Sequence, residues 1–154
     1  MIIYIGADHK GFNLKEQIKK YLDQSGYSVL DMGNASKDES DNYPAFAKAV
    51  VHEVQGDTAN RRGILMCGSG AGMCITANKF AGIRASIAFS PDHASAIKQE
   101  DDVNVLCLAA DYLEPEQAKK IIAIWMQTSF DEEQRHKDRI EQIRQMEVEL
   151  GLWK

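Results

Sequence analysis

Residues 63–73 read GILMCGSGAGM, and this stretch decides the fold. Its first five residues are mostly apolar and end at Cys67, as a buried strand of a parallel sheet does. Glycines at positions 68, 70 and 72 then lead into a segment that continues to Asn78. A strand that passes through a tight turn into a helix is the repeating unit of α/β proteins. The stretch therefore predicts one strand–helix unit, with Cys67 at its junction.

Four more apolar runs of similar length flank this unit, at residues 2–7, 27–32, 84–89 and 103–109. Amphipathic stretches separate the runs, and their starts carry helix signals: Pro44, Ser90 followed by Pro91, and Pro115. Five strand–helix alternations predict a Rossmann-like α/β fold, with a right-handed, doubly wound five-stranded parallel sheet in three layers, αβα. A length of 154 residues suits one domain, so residues 1–154 are expected to fold as one.

Residues 131–150 predict an additional C-terminal helix with a different character. The segment holds seven acidic and four basic residues, and it has only a narrow apolar stripe. Two interpretations stay open from the charge pattern. In the first, it is a solvated terminal helix with internal ion pairs. In the second, the segment 131–154 packs on a partner subunit and presents Arg135 and Arg139 to it. Those two arginines lie one turn apart on the same face.

Composition excludes several classes of protein. The net charge of −5, from 18 basic and 23 acidic residues, argues against a nucleic-acid partner. No apolar run approaches the ~20 residues of a membrane span, and the N-terminus lacks a charged region before its apolar run, unlike a secretion signal. The three cysteines are odd in number and have no CxxC spacing. We therefore expect a cytoplasmic protein with neither a disulfide framework nor a metal site.

The carboxyl ends of parallel strands are where ligands bind in open α/β sheets. Asp8 and His9 follow the first predicted strand, and Cys67 ends the third. A histidine at a strand end transfers a proton or binds a sugar hydroxyl. The alternative is a plain loop turn that Asp8 caps.

Cys67 is the strongest candidate for chemistry. A helix N-terminus stabilises anions and favours the thiolate form of a nearby cysteine, while glycines leave the backbone amides free to approach a ligand. The loop could thus hold a base or nucleophile beside an oxyanion site. A buried structural cysteine is the alternative, and it fits Cys74 and Cys107. The spacing is not the GxGxxG of dinucleotide sites, and no P-loop lysine follows.

Six motifs in order resemble one family over nearly the whole chain. They are GADHKGFNLKE at 6–16, NYP at 42–44, GILMCGSGAGM at 63–73, ANKFAGIRA at 77–85, NVLCL at 104–108 and RHKDRIEQI at 135–143. Together these motifs resemble the type B ribose-5-phosphate isomerases and the related galactose-6-phosphate isomerase subunits.

The resemblance implies a reversible aldose–ketose isomerisation of a small sugar phosphate, with no metal or organic cofactor, in a homodimer or homotetramer. Cys67 is then the base that moves a proton between C1 and C2 through an enediolate, and Ser69 forms a hydrogen bond near it. The implied substrate-binding residues are Asp8, His9, Tyr43, Gly68, Gly70, Ala71 and Gly72, with Arg135 and Arg139 reaching into the partner's site.

Acidic residues mark the departures from the family pattern. Glu100, Asp101 and Asp102 align with the family's His-Asn-Asp, and Asp111 aligns with a phosphate-binding arginine. We expect Glu100 to replace the histidine as ring-opening acid, Asp101 to contact substrate, and Asp111 to repel a phosphate held in the usual pose. The alternatives are a non-catalytic or altered-specificity member that binds a different or unphosphorylated sugar, and a cysteine hydrolase, which needs a histidine near Cys67.

Overall fold

Five parallel strands form one sheet in the computed structural model, which describes residues 1–153. The strands are β1 (Ile2–Ala7), β2 (Ser28–Asp31), β3 (Arg61–Cys67), β4 (Ala85–Ile87) and β5 (Val105–Ala109). Their order across the sheet is β2-β1-β3-β5-β4, and every neighbouring pair is parallel. The predicted five-stranded parallel sheet is confirmed.

Six helices surround the sheet: α1 (Phe12–Gln24), α2 (Tyr43–Gly56), α3 (Ala71–Ala77), α4 (Pro91–Asp101), α5 (Pro115–Gln127) and α6 (Gln134–Glu149). Helices α1, α4 and α5 pack over one face around a core that includes Ile18, Ile97 and Ile121. Helices α2 and α3 cover the other face through Val50 and Met73, among others. The three predicted layers are therefore present.

Local signals in the sequence set several element boundaries. The Ser90 hydroxyl caps α4 by accepting a hydrogen bond from the His93 amide at 3.1 Å. Gly26, with φ of +82°, follows the end of α1. The strands β2, β4 and β5 are shorter than the predicted runs by two, three and two residues.

The two ends of the strands define two edges of the sheet. At the carboxyl edge, the loops 8–11, 32–42, 68–70, 88–90 and 110–114 leave the strands. The amino edge is the opposite one, where the antiparallel helices end and the strands begin. The chain leaves β1 toward β2 but leaves β3 toward the other half of the sheet, so the carboxyl ends of β1 and β3 border a crevice.

Helix α6 is the predicted extra helix, and it lies against the amino edge of its own chain. The Asp131 amide, just before α6, donates to the Gln99 carbonyl at 3.2 Å. Farther along, the Glu147 carboxylate accepts hydrogen bonds from the Gly82 amide and from Trp153 Nε1, each at 3.0 Å. Met146 remains 58% exposed, so part of the helix surface is uncovered. Among residues 1–153, no helix has both the length and the apolarity to cross a membrane.

Candidate active site

Cys67 occupies the end of β3, at the crevice between the two halves of the sheet. Its side chain is buried, at 5% exposure, and the residue pairs with Ala109 of β5. The Cys67 carbonyl accepts a hydrogen bond from the Ala110 amide at 2.9 Å, and the Gly68 carbonyl accepts one from the Asp111 amide at 3.0 Å. The loop after β3 is thus tied to the loop after β5, which holds the thiol in a defined place.

The glycine turn brings backbone groups close to their neighbours. Gly70 has φ of +74°, a left-handed conformation that side chains disfavour. A Cβ atom on Gly72 would lie 2.7 Å from the Tyr43 ring, so glycine lets that ring rest on the first turn of α3. Ser69 is exposed, and its Oγ accepts a hydrogen bond from the Ala71 amide at 3.3 Å. The predicted loop residues are therefore gathered with Tyr43 beside Cys67.

Asp8 shapes the neighbouring loop at the end of β1. Its amide donates to the Met66 carbonyl at 3.3 Å, which places it next to Cys67 across the two strands. Its buried carboxylate accepts hydrogen bonds through Oδ1 from the Lys10 and Gly11 amides, both at 3.0 Å. These contacts form the turn just before α1, whose N-cap is Gly11 and which has no side-chain cap, so Asp8 shapes the loop turn that the sequence left as an alternative. That role leaves open the predicted contact with substrate.

His9 is held by a carboxylate that the sequence reasoning did not assign. Its Nδ1 lies 2.8 Å from Asp41 Oδ1, and its amide donates to the same oxygen at 2.9 Å. Asn34 Nδ2 donates to Asp41 Oδ2 at 3.2 Å. The side-chain hydrogen bond to the Asp41 carboxylate raises the pKa of His9 above its usual range. The bond also orients the ring, so Nε2 is the nitrogen left for other partners.

A buried lysine anchors the loop that carries Asp41. Lys15 is fully buried, and its Nζ lies 2.5 Å from Asp31 Oδ2 and 3.1 Å from the Asn34 carbonyl. Lys19 contacts the same Asp31 oxygen at 2.7 Å. Burial opposes ionisation of Asp31, but the hydrogen bonds from Lys15 and Lys19 hold the pKa of Asp31 below its usual range. Asp31, Lys15, Asn34, Asp41 and His9 thus form one connected network.

Four predicted site residues lie elsewhere in the chain. Glu100 and Asp101 are exposed in the last turn of α4, which ends at the amino edge. Arg135 and Arg139 are exposed near the start of α6 at that same edge, where Arg135 Nε lies 2.9 Å from Glu133 Oε2. Within one chain these four side chains are therefore across the sheet from Cys67.

The two other cysteines interact with each other. A hydrogen bond from the Cys107 thiol lowers the pKa of Cys74 to about 7. The same bond and complete burial raise the pKa of Cys107 well above its usual range. Helical position alone does not reveal an acidic thiol at Cys74, because its cause is a residue 33 positions away. No group of three or more His, Cys, Asp or Glu side chains arranged to hold a metal occurs within residues 1–153.

The four histidines all have partners other than Cys67. His9 and His136 bind Asp41 and Asp131, at 2.8 and 2.9 Å. His52 and His93 pack against the rings of Phe80 and Phe89. A cysteine hydrolase needs an imidazole in hydrogen-bonding contact with its thiol, and within residues 1–153 no histidine forms a hydrogen bond with Cys67, which argues against that alternative.

The fold and the site define an α/β protein whose carboxyl edge brings together a thiol, a glycine turn and polar side chains, at the edge where open α/β sheets bind ligands. The sequence also matches a family model described as Ribose/Galactose Isomerase over residues 3–143. The chain belongs to this isomerase family, and the resemblance carried by the six motifs is confirmed.

Individual relatives agree over nearly the full chain. A probable ribose-5-phosphate isomerase B from Mycoplasma pneumoniae is 39% identical, covering 92% of this chain and 91% of its own length. A D-erythrulose-4-phosphate isomerase from Pectobacterium atrosepticum is also 39% identical, covering 84% of each chain. The crystal structure of ribose-5-phosphate isomerase B from Mycoplasma genitalium with bound ribulose 5-phosphate has a TM-score of 0.93 at 35% identity, covering 96% of this chain and 97% of that one.

Proposed function

We propose that the protein interconverts ribose 5-phosphate and ribulose 5-phosphate by an enediolate mechanism with Cys67 as base. The observation that carries this proposal is the position of Cys67 at the end of β3, next to the glycine turn and at the crevice of the sheet. The full-length similarity to named sugar-phosphate isomerases supports the same reaction.

The chemistry follows from a single thiolate. The Cys67 thiolate removes the proton from C2 of the open-chain aldose, and the electrons of that C–H bond form the enediolate double bond. The thiol then returns that proton to C1, while a second proton moves from the C2 hydroxyl to the C1 oxygen. The aldose thus becomes the ketose without net oxidation or reduction. In this proposal the amides of Gly68, Gly70, Ala71 and Gly72 bind the substrate and the enediolate oxygen, the Ala71 amide giving up its 3.3 Å hydrogen bond to Ser69 Oγ, and the Ser69 hydroxyl is a further donor.

Asp8, His9 and Tyr43 are the proposed substrate contacts around this base. The hydrogen bond of Nδ1 with Asp41 leaves His9 Nε2 for a sugar oxygen. The Tyr43 ring lies against Gly72, where its hydroxyl group is available to the sugar chain. Asp8 keeps the loop between them in shape through its bonds to the Lys10 and Gly11 amides.

Residues of a second subunit complete the proposed site. Glu100, Asp101, Arg135 and Arg139 lie at the amino edge of their own chain, so they serve the Cys67 of a partner rather than their own. We assign ring opening to Glu100, a sugar contact to Asp101 and phosphate binding to both arginines. A homodimer, or a homotetramer built from such dimers, is the assembly this requires. The exposed Met146 and Ile143 of α6 are consistent with a covered face.

A second candidate keeps the reaction and changes the sugar. Asp111 places a carboxylate beside Gly68, where a phosphate held in the family's usual way would be repelled. One relative at 39% identity is named for a tetrulose phosphate. A sugar phosphate of another chain length, or an unphosphorylated sugar, is therefore the alternative substrate. For location we propose the cytoplasm, because Cys67, Cys74 and Cys107 are all free thiols.

The test is an isomerase assay with purified protein on tetrose, pentose and hexose phosphates and on the free sugars. Cys67→Ala should lower kcat/KM by about 10²–10⁴-fold while circular dichroism shows an intact fold. Cys74→Ala is the matched control, since it removes a half-buried thiol outside the proposed chemistry and should retain activity. Absence of turnover on every sugar, or an active Cys67→Ala protein, refutes the proposal.

A further inference from the structure

Cations are scarce in the loops of the carboxyl edge. Those loops contain two lysines, Lys10 and Lys37, and no arginine. A doubly charged phosphate needs charge-assisted hydrogen bonds to be held firmly. If the substrate is a sugar phosphate, as proposed above, these two lysines are the cations that one chain's own edge loops supply.

Lys10 is the lysine that lies beside the base. Its Nζ is 3.0 Å from Asp111 Oδ2, and a Cβ atom on Gly68 would lie 2.7 Å from Lys10 Cδ and 2.6 Å from Asp111 Oδ2. Both side chains of the pair therefore lie directly over the residue that follows Cys67. Lys37, by contrast, pairs with Glu39 at 2.6 Å in the loop 32–42.

The ion pair between Lys10 and Asp111 is weak enough for Lys10 to leave Asp111 and bind another anion. The two side chains are 55% and 45% exposed, and ion pairs with this much solvent contact are weak. The lysine stem is flexible, so its ammonium group can turn to a new partner. The backbone of Asp111 is fixed independently of this pair, because its amide donates to the Gly68 carbonyl at 3.0 Å. The hydrogen bond with Asp111 also raises the pKa of Lys10.

We propose that Lys10 binds the phosphate of the substrate. Without substrate, the Lys10 ammonium group is paired with the Asp111 carboxylate, and the phosphate displaces this carboxylate when it binds. Lys10 is then a specificity-determining residue that favours phosphorylated over neutral sugars. Asp111 is an internal competitor that weakens phosphate binding. This proposal rests on the proposed function for the nature of the substrate, and it explains how a carboxylate is tolerated beside Gly68.

Binding measurements test the proposal without requiring turnover. Wild-type protein and single variants are titrated calorimetrically at fixed ionic strength with inorganic phosphate, ribulose 5-phosphate and unphosphorylated ribose. Lys10→Met should raise Kd for both phosphate probes about tenfold, while Asp111→Asn should lower it about threefold. Lys37→Met is the matched control and should bind as wild type. Ribose binding should be insensitive to Lys10→Met.

The variants change exposed side chains, so thermal unfolding should confirm that each is folded. Phosphate binding unchanged in Lys10→Met, weakened in Asp111→Asn, or absent from the wild type overturns the proposal. The proposed function is judged separately by the assay. If the wild type isomerises no sugar but Lys10→Met weakens phosphate binding, the phosphate-binding role of Lys10 stands and the proposed function is refuted. If Lys10→Met is active and binds phosphate with normal affinity, the proposed function stands and the role of Lys10 is refuted.

Discussion

The candidate site residues at the carboxyl edge of the sheet are held more firmly than those at the amino edge. At the carboxyl edge, Asp8, His9 and Cys67 are held by hydrogen bonds or burial in defined positions. At the amino edge, Glu100 and Arg139 are exposed. A strand spaces its ends about 3.3 Å per residue apart, so one chain cannot bring both sets together. In the proposed reaction, a complete site therefore requires two chains, with the base from one and exposed charges from the other.

The largest expected effect comes from placing substitutions of the two edges on separate chains. Cys67→Ala should lower kcat/KM by about 10²–10⁴-fold, and the double variant Arg135→Ala/Arg139→Ala should lose activity roughly a hundredfold or more. A mixed dimer of the two has one site in which both edges are intact. After unfolding and refolding an equal mixture, about a quarter of the sites should be restored, and activity should rise accordingly.

Subunit exchange is the control for that experiment, and native mass spectrometry of differently tagged chains measures it. A mixture that demonstrably contains mixed dimers yet regains no activity shows that the two edges do not share a site. Activity of the double arginine variant equal to wild type contradicts the role of α6 instead.

The sequence could predict which residues lie at the carboxyl edge better than it could predict the contacts between them. Cys67 and the helix start at Ser90 follow from residues adjacent in the chain, because strand ends and caps are local features. The His9–Asp41 pair joins residues 32 apart, and the Lys10–Asp111 pair joins residues 101 apart. Such pairs depend on strand order and loop path, which no local pattern encodes. From the sequence, Asp111 was therefore expected to repel a phosphate, and its pairing with Lys10 was not predicted.

Protein stability provides the next test. The carboxyl edge contains a fully buried cation, Lys15, whereas Arg135 and Arg139 of the amino edge are exposed. Lys15→Met should lower the free energy of unfolding by about 3–5 kcal/mol, since it leaves the partly buried Asp31 short of a partner. Lys19→Met removes a more exposed contact to the same oxygen and should cost about 1 kcal/mol or less. Urea unfolding measures both.

The pH dependence of that difference has a definite sign. The lowered pKa of Asp31 means that its contribution is present above the unfolded-state pKa of about 4 and is lost as pH falls through the folded-state value. The gap between wild type and Lys15→Met should therefore narrow below about pH 4. A gap that stays constant from neutral to acid pH contradicts the ion-pair explanation.

A smaller effect is expected from releasing His9. Asp41→Asn should return the pKa of His9 toward its usual value, about 6.5, because the hydrogen bond that raises it is weakened. We expect kcat/KM to fall about tenfold with the fold intact. An NMR titration of the imidazole follows the pKa directly. Asp38→Asn is the control in the same loop, since Asp38 binds Ser40 rather than the histidine, and an equal shift there rules out Asp41 as the cause.

The smallest effect on activity concerns two thiols near the carboxyl edge. Since a thiolate is the nucleophile in alkylation, Cys74 should react with iodoacetamide half-maximally near pH 7, and Cys107→Ala should move that midpoint up toward 9. The same substitution should change isomerase activity less than about twofold, because neither thiol contacts substrate in the proposed reaction. Peptide mass spectrometry separates Cys74 from Cys67. If the Cys74 midpoint stays near 7 without Cys107, the acidity has another origin. If activity falls with it, acidity at Cys74 rather than position at Cys67 marks the functional thiol.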